Sequence, residues 1–217
     1  IEKGRSIEDR SCPKRVTKVC VGCRPCSITT GFAGAGAFSD GKLSLSPDVG
    51  GTLPEILGYD RTEELIRRAD EIYLKFGADQ KVYGIDDPNA IDTIRTKAIR
   101  ANLKLIECPI RHLGTEEGYK IYARLQRHLL DVGVEILFRT MVSDILVEDG
   151  RAVGVVTEDG QEYRAGAIAA GVGREGSEWF AKLCEKHQIQ TKSGTVDVGV
   201  RVEVREEVMK EVNEKLY

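Results

Sequence analysis

The chain's hydrophobic residues change period several times. After Asp60, the residues Leu65, Ala69, Ile72 and Phe76 recur at helical spacing and form one apolar stripe. Asp60-Arg-Thr-Glu63 has the form of a capping box, and Gly77 offers a stop. A second helix is predicted from Pro88, with Asp87 as its cap and Ile91, Ile94, Ala98 and Leu103 on its inner side. Leu103 to Cys108 reads as a strand. A third helix begins at Thr115, carries Tyr119, Tyr122, Leu125 and Leu129, and ends at Gly133. Val134 to Phe138 reads as a strand. Three short strands follow, turning at Asp149-Gly150 and Asp159-Gly160, dipeptides that suit tight hairpins. Ala165 to Ala170 is small and apolar, as a fully buried strand would be, and ends in Gly171-Val-Gly173. A helix over Ser177 to His187 packs Trp179, Phe180 and Leu183. Asp197 to Val204 alternates like a strand, and the Glu/Lys/Arg run from 203 to 215 is a solvated helix face.

This order of strand, glycine loop, helical segment, helix, strand, meander and strand is an α/β plan with one long insertion. The expected domains are a main body at 1–54 and 113–190, a mainly helical cap at 55–112, and the start of a second lobe at 191–217. The opening Ile1-Glu-Lys-Gly4 reads as the end of a buried strand, and the chain is expected to be a piece of a longer protein.

Composition changes the picture little. The chain has 217 residues, 41% hydrophobic and 31% charged, with a formal net charge of -3. That balance gives no global basic field to attract nucleic acid, and no apolar run approaches the ~20 residues that span a bilayer. Neither nucleic acid nor membrane is expected as a partner.

The cysteines change it more. Cys12, Cys20, Cys23 and Cys26 lie within fifteen residues and run into the glycine-rich loop from Gly31 to Lys42. Bunched thiols favour metal or redox chemistry in a reducing compartment, here read as the cytoplasm. Soft thiolates in a C-x2-C-x2-C cluster suit a [4Fe–4S] cluster or zinc. The rivals are a redox-active pair, Cys23 with Cys26, and plain reduced thiols beside Lys14, Arg15, Lys18 and Arg24. Glu2 matches the acidic residue that binds ribose hydroxyls at the end of a second parallel strand in doubly wound folds, or it is a surface Glu before a turn.

Five segments carry a resemblance. They are Ile1–Gly4, Cys26-Ser-Ile-Thr-Thr-Gly-Phe-Ala-Gly-Ala-Gly-Ala-Phe-Ser-Asp-Gly-Lys-Leu43, Cys108-Pro-Ile-Arg-His-Leu-Gly-Thr115, Ala170-Gly-Val-Gly-Arg-Glu-Gly-Ser177 and Asp197-Val-Gly-Val-Arg-Val-Glu203. In these the chain resembles the uncharacterised FAD-dependent dehydrogenases, also called NAD(FAD)-utilising dehydrogenases, among the glutathione-reductase-like flavoproteins. The resemblance implies an incomplete FAD/NAD(P)-binding Rossmann-like domain with a β-meander and an inserted cap, lacking the first phosphate-binding loop. It implies that Glu2 meets the adenosine ribose. Gly31, Gly34, Gly36, Ser39, Asp40 and Lys42 would run along the diphosphate and flavin, Val142 would pair its backbone with adenine, and Gly171 and Gly173 would pass close to the cofactor.

His112 is the best acid/base candidate, because imidazole titrates near neutrality; the alternative is a histidine that hydrogen-bonds the backbone at a helix entry. Arg111 would hold an anionic substrate or the flavin edge, or merely pair with Glu116. Lys42 and Asp40 would line the flavin face, or Asp40 would tie its own loop. The expected function is an FAD-dependent oxidoreductase acting on a small-molecule substrate or electron acceptor, with NAD(P)H as a possible co-substrate and a Cys-ligated metal centre as a possible partner to the flavin. The competing functions are a metal-stabilised nucleic-acid or protein binding module and a flavoprotein scaffold without chemistry.

Overall fold

The computed structural model describes residues 1–194 and 198–216. In chain order it contains α1 (Lys14–Thr17), a 3₁₀ turn (Gly34–Phe38), β1 (Lys42–Ser44), α2 (Leu53–Leu57), α3 (Tyr59–Lys75) and α4 (Pro88–Arg100). Then come β2 (Ile110–His112), α5 (Thr115–Asp131), β3 (Val142–Glu148), β4 (Arg151–Thr157), β5 (Glu162–Arg164), α6 (Ser177–Lys186) and α7 (Glu206–Leu216). This is a mixed α/β chain. It divides into two units, residues 1–38 with 122–197 and residues 39–121 with 198–217.

In the first unit, β3, β4 and β5 form an antiparallel meander. Asp149 (φ 49°) and Gly150 (φ 74°) both adopt left-handed backbone at the first turn, as a two-residue type I′ hairpin requires. The opening segment pairs in parallel with the chain after α5. Glu2 N–H donates to the Leu137 carbonyl at 2.8 Å, Arg139 N–H to the Gly4 carbonyl at 2.7 Å, and Thr140 N–H to the Glu2 carbonyl at 3.1 Å. The predicted strand at Val134–Phe138 is therefore reduced to one bridge, between Glu2 and Phe138. Ile7 is wholly buried, and its amide donates to Gln126 Oε1 at 2.8 Å. The buried Gln126 returns a bond from Nε2 to Glu8 at 2.6 Å, so the carboxyl-terminal half of α5 is tied to residues 7–8 by one amide used at both ends. On α6, Leu183 and Cys184 are buried, and Trp179 Nε1 donates to the Ser143 carbonyl at 3.1 Å. Phe180, expected inside, is 36% exposed.

Ala165–Ala170, expected as a buried strand, forms no ladder and is exposed apart from the half-buried Ile168. Only its first residue is tied to the meander, Ala165 N–H donating to the Val153 carbonyl at 3.0 Å, and beyond it the backbone groups are left to water. The expected strand from Asp197 to Val204 starts in residues outside those described. Its remainder, 198–204, forms no ladder either, and Val198, Val200, Val202 and Val204 are all exposed.

In the second unit, β1 and β2 pair antiparallel, with Lys42 opposite His112 and Leu43 opposite Arg111. The strand expected at Leu103–Cys108 is displaced to Ile110–His112. Pro109 has no N–H to give a ladder. Beyond it, Ile110 exchanges both backbone bonds with Tyr83, at 2.8 and 3.1 Å. Asp87 caps α4 as its position suggests, its carboxylate accepting from Ala90 N–H at 2.9 Å, with Pro88 opening the helix. Ile91 and Ile94 are buried, whereas Leu103 lies outside the helix and is 66% exposed. α7 is tied to α4 by ion pairs, Lys97 with Glu211 and Lys215 with Asp87.

The capping box at Asp60–Glu63 does not form. α3 starts at Tyr59, one residue before Asp60, and its cap, Gly58, makes no side-chain bond. The buried face also differs from the predicted stripe. Ala69 and Ile72 face solvent, and Thr62, Leu65, Ile66, Asp70 and Tyr73 turn inward. The cause is Asp70. It receives the Arg111 guanidinium through two bonds, from Nε to Oδ1 and from Nη2 to Oδ2 at 2.7 Å, and Arg111 is only 4% exposed. A buried guanidinium needs its counter-charge more than the helix needs Ile72 inside.

Replacing Asp70 by Asn leaves the Arg111 charge buried without a carboxylate. Unfolding in urea should show a loss of about 3–5 kcal/mol, the range for breaking one partner of a buried pair. A loss below about 1 kcal/mol would contradict the role given to this pair.

Candidate functional site

The first unit gathers its candidate residues around a single cation. Arg10 is 5% exposed, and among the described residues no carboxylate is bound to its guanidinium. It donates instead to four carbonyl oxygens: Ser27 at 3.0 Å, Phe32 at 2.5 Å, Gly34 at 2.7 Å and Ile28 at 2.8 Å. The Phe38 ring lies 4.9 Å from its centre. Burial pushes the Arg10 pKa down, and the charges of Glu2 and Cys26 oppose that shift. Guanidinium still stays protonated, so the carbonyl dipoles must carry the compensation. The carbonyls of Ser27, Ile28, Phe32 and Gly34 are thereby turned inward. Gly31 (φ 123°) is required there, because an added Cβ would fall 2.7 Å from Arg10 Cδ.

Three segments meet at this loop. A Cβ on Gly4 would sit 2.4 Å from the Gly31 nitrogen, so the end of the opening segment lies directly on the loop backbone. Glu175, two residues past Gly173, accepts from Lys3 Nζ at 2.9 Å, from Thr29 Oγ1 at 3.2 Å and from Thr30 Oγ1. The Thr30 hydroxyl, followed by Lys3 and Thr29, holds the Glu175 carboxyl below its usual range. The Glu2 carboxylate is half-buried and accepts the Gly4 N–H at 2.7 Å. Thr140, which bonds the Glu2 carbonyl, stands two residues before Val142, the first residue of β3. Gly34, Gly171 and Gly173 face open space, and a Cβ on Gly36 would meet the Tyr122 hydroxyl at 3.2 Å.

The four clustered cysteines do not converge. Cys20 is exposed and Cys12, Cys23 and Cys26 are half-exposed; all are free thiols. Among the described residues, no group of three His, Cys, Asp or Glu side chains is arranged to hold a metal ion. The donor set expected for [4Fe–4S] or zinc is therefore not assembled. Cys26 stands apart chemically. The amides of Ile28 and Thr29 and the Thr29 hydroxyl favour its thiolate and lower its pKa.

In the second unit, Asp40 lies between His112 and Lys42. His112 Nε2 is 2.9 Å from Asp40 Oδ1, and Lys42 Nζ is 3.8 Å from Asp40 Oδ2. The β1–β2 pairing brings the two together, and Leu113 N–H to the Gly41 carbonyl (2.8 Å) and Gly114 N–H to the Asp40 carbonyl (3.0 Å) extend it. His112 borders a cleft of about 370 Å³ whose wall includes Asp79, Leu113, Glu117 and Ile121. Ser39 hydroxyl accepts from Gly41 N–H at 3.1 Å, closing the turn before β1. Arg111 differs from its expected role. It is buried, pairs with Asp70 rather than Glu116, and gives Nη1 to the Asp79 and Lys81 carbonyls. Its donors serve the fold, which leaves it no free fork for a substrate.

Comparison with known proteins follows from this geometry. Residues 93–208, just over half of the chain, match the family model described as pyridine nucleotide-disulphide oxidoreductase. The chain belongs to this family. It is also 40% identical over 65 residues to the tRNA uridine 5-carboxymethylaminomethyl modification enzyme MnmG of Streptococcus pyogenes, in the Manfredo and MGAS315 strains alike. That match covers 30% of this chain and 10% of the relative, so the chain spans about a tenth of the length of those curated relatives. No helix among the described residues is long and apolar enough to cross a membrane.

Sequence reasoning missed Arg10, Glu175 and Asp70. Arg10 sits in a run of cations and carries no periodic mark. Its only sequence signal is the absence of any acidic residue between Asp9 and Asp40, which leaves backbone carbonyls as its partners.

Two outcomes check this account. Arg10→Lys keeps the charge and removes the fork, so several carbonyls lose their donor at about 1–3 kcal/mol each. Its urea midpoint should fall, and limited proteolysis should cut within residues 26–34, where the parent resists. The Glu175 carboxyl has a folded pKa below its unfolded value of about 4.3, so its contribution is complete above that pH and is lost as pH falls through the folded value. Urea midpoints measured between neutral pH and about pH 3 should fall less steeply in Glu175→Gln than in the parent. Parallel slopes would remove Glu175 from its linking role.

Proposed function

We propose that this chain supplies FAD-contacting residues of a flavin-dependent oxidoreductase. The observation that carries the reading is the meeting of Ile1–Gly4, Thr30–Gly31 and Gly173–Glu175 in the first unit, in a chain that belongs to the pyridine nucleotide-disulphide oxidoreductase family. Backbone packed on backbone beside an acidic side chain, with further glycines facing open space, is the arrangement that lets an elongated nucleotide lie close to the chain.

In the first unit, Glu2 accepts the ribose hydroxyls with the capacity left after its bond to Gly4. Gly34 and Gly36 let the diphosphate approach the backbone while Gly31, packed against Arg10 and Gly4, shapes the loop beneath it; Val142 offers its main chain to adenine, and Gly171 and Gly173 border the same nucleotide. In the second unit, Ser39, Asp40 and Lys42 are the residues that the family resemblance assigns to the flavin. The flavin, when bound, supplies hydride and electron transfer; the protein supplies placement and electrostatics. Asp40 orients the His112 imidazole through Nε2, and His112 stands on the edge of the 370 Å³ cleft as the group that holds or moves a proton. Lys42 keeps positive charge beside the pair. A nicotinamide nucleotide is the hydride source and a small molecule or electron carrier the acceptor. The free thiols suit a reducing compartment, the cytoplasm. The cysteine geometry gives no support to a metal centre, and the reading needs none.

Purified full chain reconstituted with FAD should retain the visible flavin absorbance through gel filtration. Glu2→Ala should weaken FAD binding by about tenfold or more, the range for a lost hydrogen bond to a charged group. No retained flavin at saturating FAD would sink the proposal.

A further inference from the structure

The segment from Lys14 to Arg24 presents an unusual surface. Lys14 to Gly22 are all exposed without interruption. Within them Val16 is 85%, Val19 68% and Val21 57% exposed. Interleaved are the exposed cations Lys14, Arg15 and Lys18, with Arg24 just beyond. No acidic residue occurs from Arg10 to Ser39, so no nearby sequence neighbour neutralises them.

The backbone of this segment is built rather than left open. Lys18 N–H closes α1 on the Lys14 carbonyl at 2.9 Å. Thr17 Oγ1 reaches the Pro13 carbonyl at 3.1 Å and the Val19 carbonyl at 2.7 Å. The Arg15 guanidinium lies 5.3 Å from the Phe38 ring, beside Arg10. Three valines are thus displayed among cations in a defined shape.

We propose that Lys14–Arg24 is a docking surface for a small acidic electron-carrier protein. The proposal rests on the oxidoreductase reading above and takes the electron carrier, of the two acceptors named there, as the occupant. A few apolar side chains surrounded by one sign of charge suit a partner of opposite charge with an apolar centre: the charges steer the encounter and the apolar groups hold it. The patch is also small, as the interfaces of transient redox encounters are. Single-stranded RNA is less well matched, because the exposed run from Lys14 to Gly22 has no aromatic residue on which a base could stack. A lipid surface is less well matched too, because α1 is only four residues long and offers no extended amphipathic face.

The test uses the full chain, immobilised, with a plant-type [2Fe–2S] ferredoxin as the acidic probe. Binding should be micromolar at low salt and weaken at least about tenfold between roughly 20 and 200 mM salt, because the attraction is screened. The triple variant Lys14→Glu, Lys18→Glu, Arg24→Glu should lose binding by more than about tenfold. The variant Val16→Ser, Val19→Ser, Val21→Ser should weaken binding while keeping the salt dependence. Circular dichroism melts must match the parent for both, since all six side chains are exposed. Absent ferredoxin binding at low salt, or variants that bind like the parent, would overturn the proposal. So would a patch-dependent retention of single-stranded RNA or anionic phospholipid vesicles without ferredoxin binding. FAD content measured on the same samples separates the two readings: flavin retained without docking counts against the surface alone, and docking without flavin counts against the flavin reading alone.

Discussion

The first unit depends on how it accommodates one buried guanidinium. Arg10 lies inside, and its charge is met by the carbonyl oxygens of Ser27, Ile28, Phe32 and Gly34. A buried charge is tolerated only when its hydrogen-bonding capacity is filled. That demand shapes everything between Cys26 and Phe38. The carbonyls turn inward, so the amides of Ile28 and Thr29 become available to the Cys26 sulfur. Gly31 becomes obligatory, and its bare backbone becomes the platform for Gly4. The shape of the loop at Gly31 and Gly34 is a consequence of one cation's solvation.

The second unit solves the same problem differently. Arg111 is buried as deeply as Arg10, but a carboxylate on another element answers it. A planar, two-point pair is directional, and that geometry explains why α3 turns Asp70 inward and leaves Ile72 outside. It also places β2, so His112, the next residue, is delivered to Asp40 and to the cleft edge. Arg111, expected to meet a substrate, therefore positions the strand, and its neighbour His112 is the residue left at the cleft edge.

What the sequence disclosed follows from the range of the interactions involved. Asp87-Pro88 announced the start of α4, and Asp149-Gly150 announced a hairpin, because caps and tight turns are decided within a few residues. The end of α5 at Gly133 was legible for the same reason. The face of α3 was not, because Asp70 is turned inward by an arginine 41 residues away. Asp60 had the right spacing for a cap and lost the role when Tyr59 was drawn into the helix. The glycine loop and Glu2 were visible as candidates; that Gly4 and Glu175 would join them was not, since their contacts span up to 172 residues. The cysteines misled because spacing in sequence does not impose convergence: the turns through residues 12–26 leave those side chains apart.

The contact of Gly4 with Gly31 has an evolutionary corollary. Even a methyl group at position 4 would overlap a main-chain nitrogen at 2.4 Å, so the site cannot drift by small steps. Tolerance there would require the opening segment to slide away, which would also break the backbone hydrogen bonds with Leu137, Arg139 and Thr140 that hold it. Homologous chains should therefore keep this pair of residues fixed, as a short invariant seam.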